Sequence, residues 1–329
     1  MRQVRVANVQ PLRMAHLAPF EGQRDHGEAR KLMEQNVEMA CRLLDQAGRA
    51  GCDICCYPED LQGIAHYGFF LDDPELFSGL VEKVPGPTTE RVAEVARRHA
   101  MHVVFGQFER EGNELYNAAV LVGRRGEVLG KYRKVHLPAS ERWMITPGSD
   151  YPAFQTDFGT VGIMICYDLL FPEVARCLSL NGAELLFNPT MAYDVTGQCE
   201  DNGVLRVRMR ALDSFAPVVV SLCRSGSIIV GSDGSILAQA RADVEEIITA
   251  TIDLDATPVD HSFWEAITGT ADMKARLIQE RKPATYAGLA AASAPVLARY
   301  ATDRLRSSPH EIMDAYEVIR RQWSGNPGR

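Results

Sequence analysis

What this 329-residue chain lacks narrows its class before any motif is read. It has no apolar run approaching the roughly 18–20 residues of a membrane helix. Its opening, "MRQVRVANVQPLRMAHLAP", shows no continuous apolar segment and no leader cleavage site, so it reads as a first strand and a cytoplasmic location is expected. There is no basic excess: 35 Lys plus Arg against 43 Asp plus Glu leave a formal net charge of -8. That balance argues against nucleic acid or an anionic membrane as main partner. Eight cysteines, at 41, 52, 55, 56, 166, 177, 199 and 223, are too few and too scattered for a disulfide scaffold. "CDICC" holds one C-x-x-C, but no second pair completes a four-ligand zinc set. The segment reads instead as small residues filling a buried strand, and no metal is expected. Fixed-period repeats and low-complexity linkers are also missing.

What is present is ordinary for a soluble globular chain: 46% hydrophobic and 24% charged residues, with elements of both kinds. Residues 4–9 alternate toward a strand. From Glu28 to Ala50, Met33, Val37, Ala40, Cys41, Leu44 and Ala47 follow helical spacing, with Gly51 as the stop. "VPGPTTERVAEVARRHA" reads as a turn and a helix capped by Thr88. Strands are expected at 102–108, 117–123, 161–165 and 184–188, and in "PVVVSL", "GSIIVG" and "EEIITATIDL", with helices near 172–181 and 203–213. Helices alternating with strands early, and hairpin-like strands between and after them, predict a layered α/β sandwich. From about Thr257 the sheet signal ends, and an Ala-rich helical or irregular tail follows.

Three stretches place reactive side chains at strand ends: "CYPED" with Glu59, "GKYRKVHLP" with Lys131 and Lys134, and "ICYDLLFPE" with Cys166. Acyl transfer by a thiol needs a base for the sulfur proton and donors for the oxyanion. A carboxylate, an ammonium and a thiol supply those without any histidine. Spacing alone does not bring them together. Lys131 and Arg133 read as charges on a solvated loop, and Cys177 as core.

In this order the three motifs resemble the carbon–nitrogen hydrolase family, the nitrilase superfamily, in its amidase and carbamoylase-like branch. "VPGPTTERVAEVA", "NELYNAAVLVG", "TPG" at 146–148, "GAELLFNPT" and "GEVLGKYRKVHLP" extend the resemblance over residues 4 to about 286. It implies a four-layer α-β-β-α sandwich over 1–286, with a helical tail at 287–329 packing on the domain or on a partner subunit. By the same resemblance Glu59 is the general base, Lys134 the catalytic lysine, Cys166 the nucleophile and Glu141 a second glutamate beside the lysine. Lys134 and the backbone N–H of Tyr167 then hold the oxyanion, and His136 is structural. A helix start just after Cys166, with Lys134 nearby, leads to the expectation of a depressed thiol pKa. No cofactor is implied, and at least a homodimer is expected.

Tyr167-Asp168 after the cysteine is commoner in the family's amide hydrolases than in its nitrilases. Leu169 and Leu170 stand where carboxylate-recognising members place an Arg, although Arg206, Arg208 or Arg210 could reach in from elsewhere. The short link inside "VVVSLCRSGSIIV" suggests a more open pocket. Lining candidates are Tyr67, Tyr116, Asn188, Thr190, Met191 and Leu169. The expected activity is thiol-dependent hydrolysis of a small, apolar or neutral linear amide or N-carbamoyl compound. A nitrilase, or a catalytically idle binding subunit, are the alternatives.

Overall fold

The computed structural model describes residues 1–12, 14, 25–70, 73–138, 141–191, 200–224, 226–256, 259, 263–291 and 296. Two compact units meet at Ala256 and Thr257 in the chain. In the first, the strands are β1 (Gln3–Gln10), β2 (Ile54–Cys56), β3 (His102–Glu111), β4 (Glu114–Val122), β5 (Val128–Arg133), β6 (Ala153–Gln155), β7 (Thr160–Ile163), β8 (Leu185–Pro189), β9 (Val218–Ser221), β10 (Ile228–Val230), β11 (Ile236–Gln239) and β12 (Glu246–Asp253). Its helices are α1 (His26–Arg49), α2 (Pro74–Leu80), α3 (Pro87–His99), α4 (Glu141–Met144), α5 (Pro172–Leu180) and α6 (Glu200–Ser214). One six-stranded sheet runs β12-β1-β2-β3-β4-β5 and the other β11-β10-β9-β8-β7-β6.

The pairing follows from the connections. β1, β2 and β3 run parallel, as do β7, β8 and β9. A parallel step needs a long crossover, and α1, α3, α5 and α6 supply it. The remaining neighbours pair antiparallel, several of them through hairpins.

Side-chain alternation then sorts the apolar residues into layers. Val4, Val6, Ile54, Cys56 and Val104 of the first sheet meet Val161, Ile163, Leu185, Phe187 and Val219 of the second. The opposite face of the first sheet, with Ala7, Val9, Cys55, Val103 and Phe105, packs on Val37, Ala40 and Leu44 of α1 and Val92 and Ala96 of α3. Leu186, Val218 and Val220 do the same with Val174 and Leu178 of α5 and Val207 and Ala211 of α6. The result is an α-β-β-α sandwich.

Local chemistry sets the helix starts. The Asp25 carboxylate caps α1 by accepting from Gly27 N at 2.8 Å and Glu28 N at 3.2 Å. α3 departs from expectation: it starts at Pro87 with Gly86 as N-cap and no side-chain cap. Thr88 is the second residue of the helix, its hydroxyl accepting from Gln62 Nε2 at 2.9 Å. β5, β6, β11, α2 and a π-helical turn at His66–Phe70 are additional to the elements read from the sequence. All are short or half-exposed, so periodicity gives little signal for them.

The second unit holds α7 (Phe263–Thr268), α8 (Met273–Gln279) and two 3-10 turns, Pro283–Thr285 and Ala287–Ala290. Asp272 caps α8 by accepting from Ala275 N at 3.0 Å. Most of the 287–329 tail, and Cys199, lie outside the described residues. Among the described residues no helix is long and apolar enough to cross a membrane.

Candidate active site

Parallel strands gather loops at their carboxyl ends, where open α/β sheets place ligand sites. Glu59 lies three residues beyond β2. Its position depends on Gly106 of β3, where a Cβ would sit 2.6 Å from Glu59 Cα. With only hydrogen there, Gly106 N bonds Pro58 O at 3.2 Å and Gly106 O accepts from Leu61 N at 2.8 Å. Lys134 follows β5 directly and donates its N–H to Asn117 O of β4 at 2.8 Å. Glu141 opens α4. Cys166 comes from the other sheet: β7 ends at Ile163, and Cys166 begins a 3-10 turn, Cys166–Leu170, with φ +45°.

The four side chains converge. Lys134 Nζ donates to Glu59 Oε1 at 2.9 Å and to Glu141 Oε2 at 2.8 Å. The Cys166 thiol lies in the field of the Glu59 and Glu141 carboxylates and of the Lys134 ammonium. Asn117, which the sequence reading did not single out, closes a ring: its Nδ2 donates to Glu59 Oε1 at 2.7 Å and Glu141 Oε1 at 2.5 Å. Met191 N donates to Glu59 Oε2 at 2.8 Å. Glu59, Lys134, Glu141 and Asn117 are 1, 2, 5 and 1% exposed. Two carboxylates can share so dry a space because an ammonium and an amide both bridge them.

Burial alone would discharge Lys134, but the carboxylates of Glu141 and Glu59 outweigh it and hold the ammonium well above the ordinary range. Burial pushes Glu141 up, against the pull of Lys134. The thiol corrects the sequence expectation. Burial and the Glu59 charge push Cys166 up, and the opposing attraction of Lys134 does not reverse them. The α-helix that was expected to help, α5, starts at Pro172 as expected, but a 3-10 turn separates it from the thiol. The resting group is therefore a neutral thiol in the field of the Glu59 carboxylate.

The other candidates separate by position. Asn188 is a brace: Nδ2 donates to Met164 O at 3.2 Å and Cys166 O at 3.5 Å, while Thr190 Oγ1 donates to Asn188 Oδ1 at 2.8 Å. Met191 reaches Glu59 through its backbone. Tyr67 is buried beside Ile64, Ala65, Leu76 and Phe77. Tyr116 lies under the Arg133 guanidinium, 3.7 Å from ring centroid to Cζ. Leu169 is buried in the layer between the second sheet and its helices, among Val174, Ala175, Val207 and Ala211. Arg210 donates Nε to Leu169 O at 3.0 Å, and Arg208 Nε to Gly234 O at 2.7 Å, while Arg206 is exposed. Lys131 and Arg133 belong to β5 and pair with Glu109 and Glu111, where a solvated loop was expected. Cys177, read as core, is half-buried on α5. The short 222–227 link is tied to β1, its Gly226 and Ser227 N–H donating to Gln10 Oε1 at 2.7 and 2.8 Å.

A buried carboxylate–ammonium–thiol cluster, set where two sheets present their strand ends, defines an α/β fold equipped for thiol chemistry. The profile of the carbon–nitrogen hydrolase family matches residues 26–258, and the chain belongs to that family. A nitrilase of Pyrococcus abyssi is 32% identical over 67% of this chain and 84% of its own. An omega-amidase of Xenopus tropicalis is 31% identical over 67% of this chain and 84% of its own. The crystal structure of a carbon–nitrogen hydrolase from Helicobacter pylori superposes with a TM-score of 0.66 at 20% identity, covering 88% of this chain and 98% of that one.

Proposed function

We propose that this carbon–nitrogen hydrolase cleaves a small linear amide or N-carbamoyl compound through a thioester on Cys166. The observation that carries the reading is Glu59, whose buried carboxylate bonds the Lys134 ammonium at 2.9 Å while its charge acts directly on the Cys166 thiol. Cys166 Sγ attacks the carbonyl carbon while its proton passes to Glu59. The oxyanion is held by Lys134 Nζ and the N–H of Tyr167 in the first turn of the 3-10 segment, where main-chain donors lack helical acceptors. One such donor is worth about 3–4 kcal/mol in the transition state. Collapse breaks the C–N bond as Glu59 returns the proton to the departing nitrogen. Glu59 then takes a proton from water, which attacks the thioester to give the acid and the free thiol. Over the cycle one amide and one water become one acid and one amine or ammonia.

Glu141 and Asn117 act on placement: both bond the groups that touch the reacting atoms. The raised thiol pKa suits this mechanism, since proton transfer accompanies attack and a free thiolate is not stored. A relative named nitrilase supports a second reading, in which the same thiol adds to a nitrile and two waters are consumed. A homodimer or larger assembly fits the exposed row of Leu205, Met209 and Leu212 along α6; gel filtration showing only monomer removes it. The deciding experiment for the activity is an ammonia-release screen over matched amides, N-carbamoyl compounds and nitriles. Cys166→Ala is expected to abolish turnover and the acyl adduct detected by intact mass. Turnover undiminished in Cys166→Ala sinks the proposal, and ammonia from nitriles alone selects the second reading.

A further inference from the structure

Asp168, two residues after the nucleophile candidate, has a part in this site that its sequence position does not suggest. It is fully buried, and its two oxygens gather four hydrogen bonds. Oδ1 accepts from the backbone N of His136 at 3.0 Å and from its Nδ1 at 2.9 Å. Oδ2 accepts from the Tyr132 hydroxyl at 2.7 Å and from the backbone N of Ile165 at 3.0 Å. Tyr132 and His136 lie two residues before and two after Lys134, and Ile165 directly precedes Cys166. A second contact reinforces the first, because the His136 ring stacks on Phe171 at the end of the 3-10 turn, centroids 3.7 Å apart and planes within 11°.

We infer that Asp168 is a positioning residue that sets Lys134 against Cys166, its four bonds bracketing the lysine on one sheet and anchoring the thiol's turn on the other. The inference rests on the proposed roles of those two residues. Lys134 and Cys166 come from strands of different sheets, so no ladder of backbone bonds fixes their separation. Apolar packing between sheets is non-directional and leaves such a separation free to slide by fractions of an ångström. A carboxylate with four convergent donors is directional, and its charge strengthens every bond. An amide of the same shape could not replace it, because its NH₂ would face a donor. A misplacement of about 1 Å in such a site costs about 100-fold in rate.

The test reads the thiol without any substrate. Wild type, Asp168→Asn, Tyr132→Phe and the double variant are treated with iodoacetamide across a pH series, and alkylation is followed at the Cys166 peptide. The groups facing this sulfur are Glu59, Lys134 and Glu141, which all variants keep. With the ammonium displaced, Asp168→Asn is expected to slow Cys166 alkylation about tenfold or more and to move its pH profile to higher pH. On an amide that wild type turns over, kcat should fall with KM little changed. Tyr132→Phe should shift the profile less, in the same direction, and add nothing to Asp168→Asn. It keeps its ring, so it carries the test alone if Asp168→Asn does not accumulate. A wild-type profile in both single variants overturns the inference and leaves the proposed activity standing. Wild type that forms no acyl adduct on Cys166 with any amide, N-carbamoyl compound or nitrile overturns both.

Discussion

Lys131 and Arg133 on β5 pair with Glu109 and Glu111, while Lys134, the next residue, pairs with Glu59 and Glu141. The three cations are close in sequence and carry the same charge, yet their side chains are 29, 21 and 2% exposed. At the half-open edge water reaches the two cations, and buried Glu109 holds both of them, so losing one leaves it paired and costs about 0–1 kcal/mol. In the sealed cluster nothing replaces a lost partner, and breaking a buried pair costs about 3–5 kcal/mol. The difference is one of redundancy: buried Glu109 has two cations, while Glu59 and Glu141 share one.

The contrast is open to attack, most forcefully at Lys134. Lys134→Met should abolish turnover and lower the unfolding free energy by about 3–5 kcal/mol, because Glu59 and Glu141 are left buried without their cation. Urea titration at neutral pH measures it. Next comes Asp60, a buried carboxyl with no cation among its bonds: Ile64 and Ala65 donate backbone N–H groups to it at 3.0 and 2.8 Å. Burial pushes it up to about 7, against those bonds. In the unfolded chain the same group releases its proton near ~3.9. Between those values the folded state holds a proton that the unfolded state has lost, so stability falls as pH rises through the window, by up to about 4 kcal/mol. Stability curves of wild type and Asp60→Asn should therefore converge below pH 4 relative to their separation at pH 8; a constant difference refutes it.

Removing the amide bridge is a milder cut. Asn117→Leu should cost about 1–3 kcal/mol, since both carboxylates lose a donor, and should slow turnover more than it changes KM. At the edge, Lys131→Met should change stability by about 1 kcal/mol or less and leave turnover untouched, because Arg133 still bonds Glu109 at 2.9 Å. If Lys131→Met proved as damaging as Lys134→Met, the distinction between the two clusters would collapse.

The layered fold was legible because its strands are short apolar runs punctuated by turns and its long helices keep a clean 3.6 period, as α1 does. Glu59, Lys134 and Cys166 stood out because each ends a strand with a reactive group inside a recognisable motif. Asn117 did not: an asparagine within a strand carries no chemical flag, and its value comes from two carboxylates brought to it from distant segments. Asp168 was legible only as a marker of substrate class, since its four donors lie on segments the sequence does not join. The thiol's ionisation was misjudged for a geometric reason. The helix expected near 172–181 does start at Pro172, but a 3-10 turn separates it from Cys166 by six residues, too far for its dipole to offset burial and the Glu59 charge. Leu169 looked like a pocket residue by its nearness to Cys166, and the turn carries it into the helix-facing layer.

The left-handed backbone of Cys166, φ +45°, has a further consequence. Only glycine accepts that region freely, and a residue with a Cβ gives up about 1 kcal/mol to stay there. On backbone conformation alone the preferred occupant of the position is thus glycine, which cannot react. Cys166→Gly should melt higher than Cys166→Ala, so the thiol proposed to react sits where the backbone would favour no side chain at all.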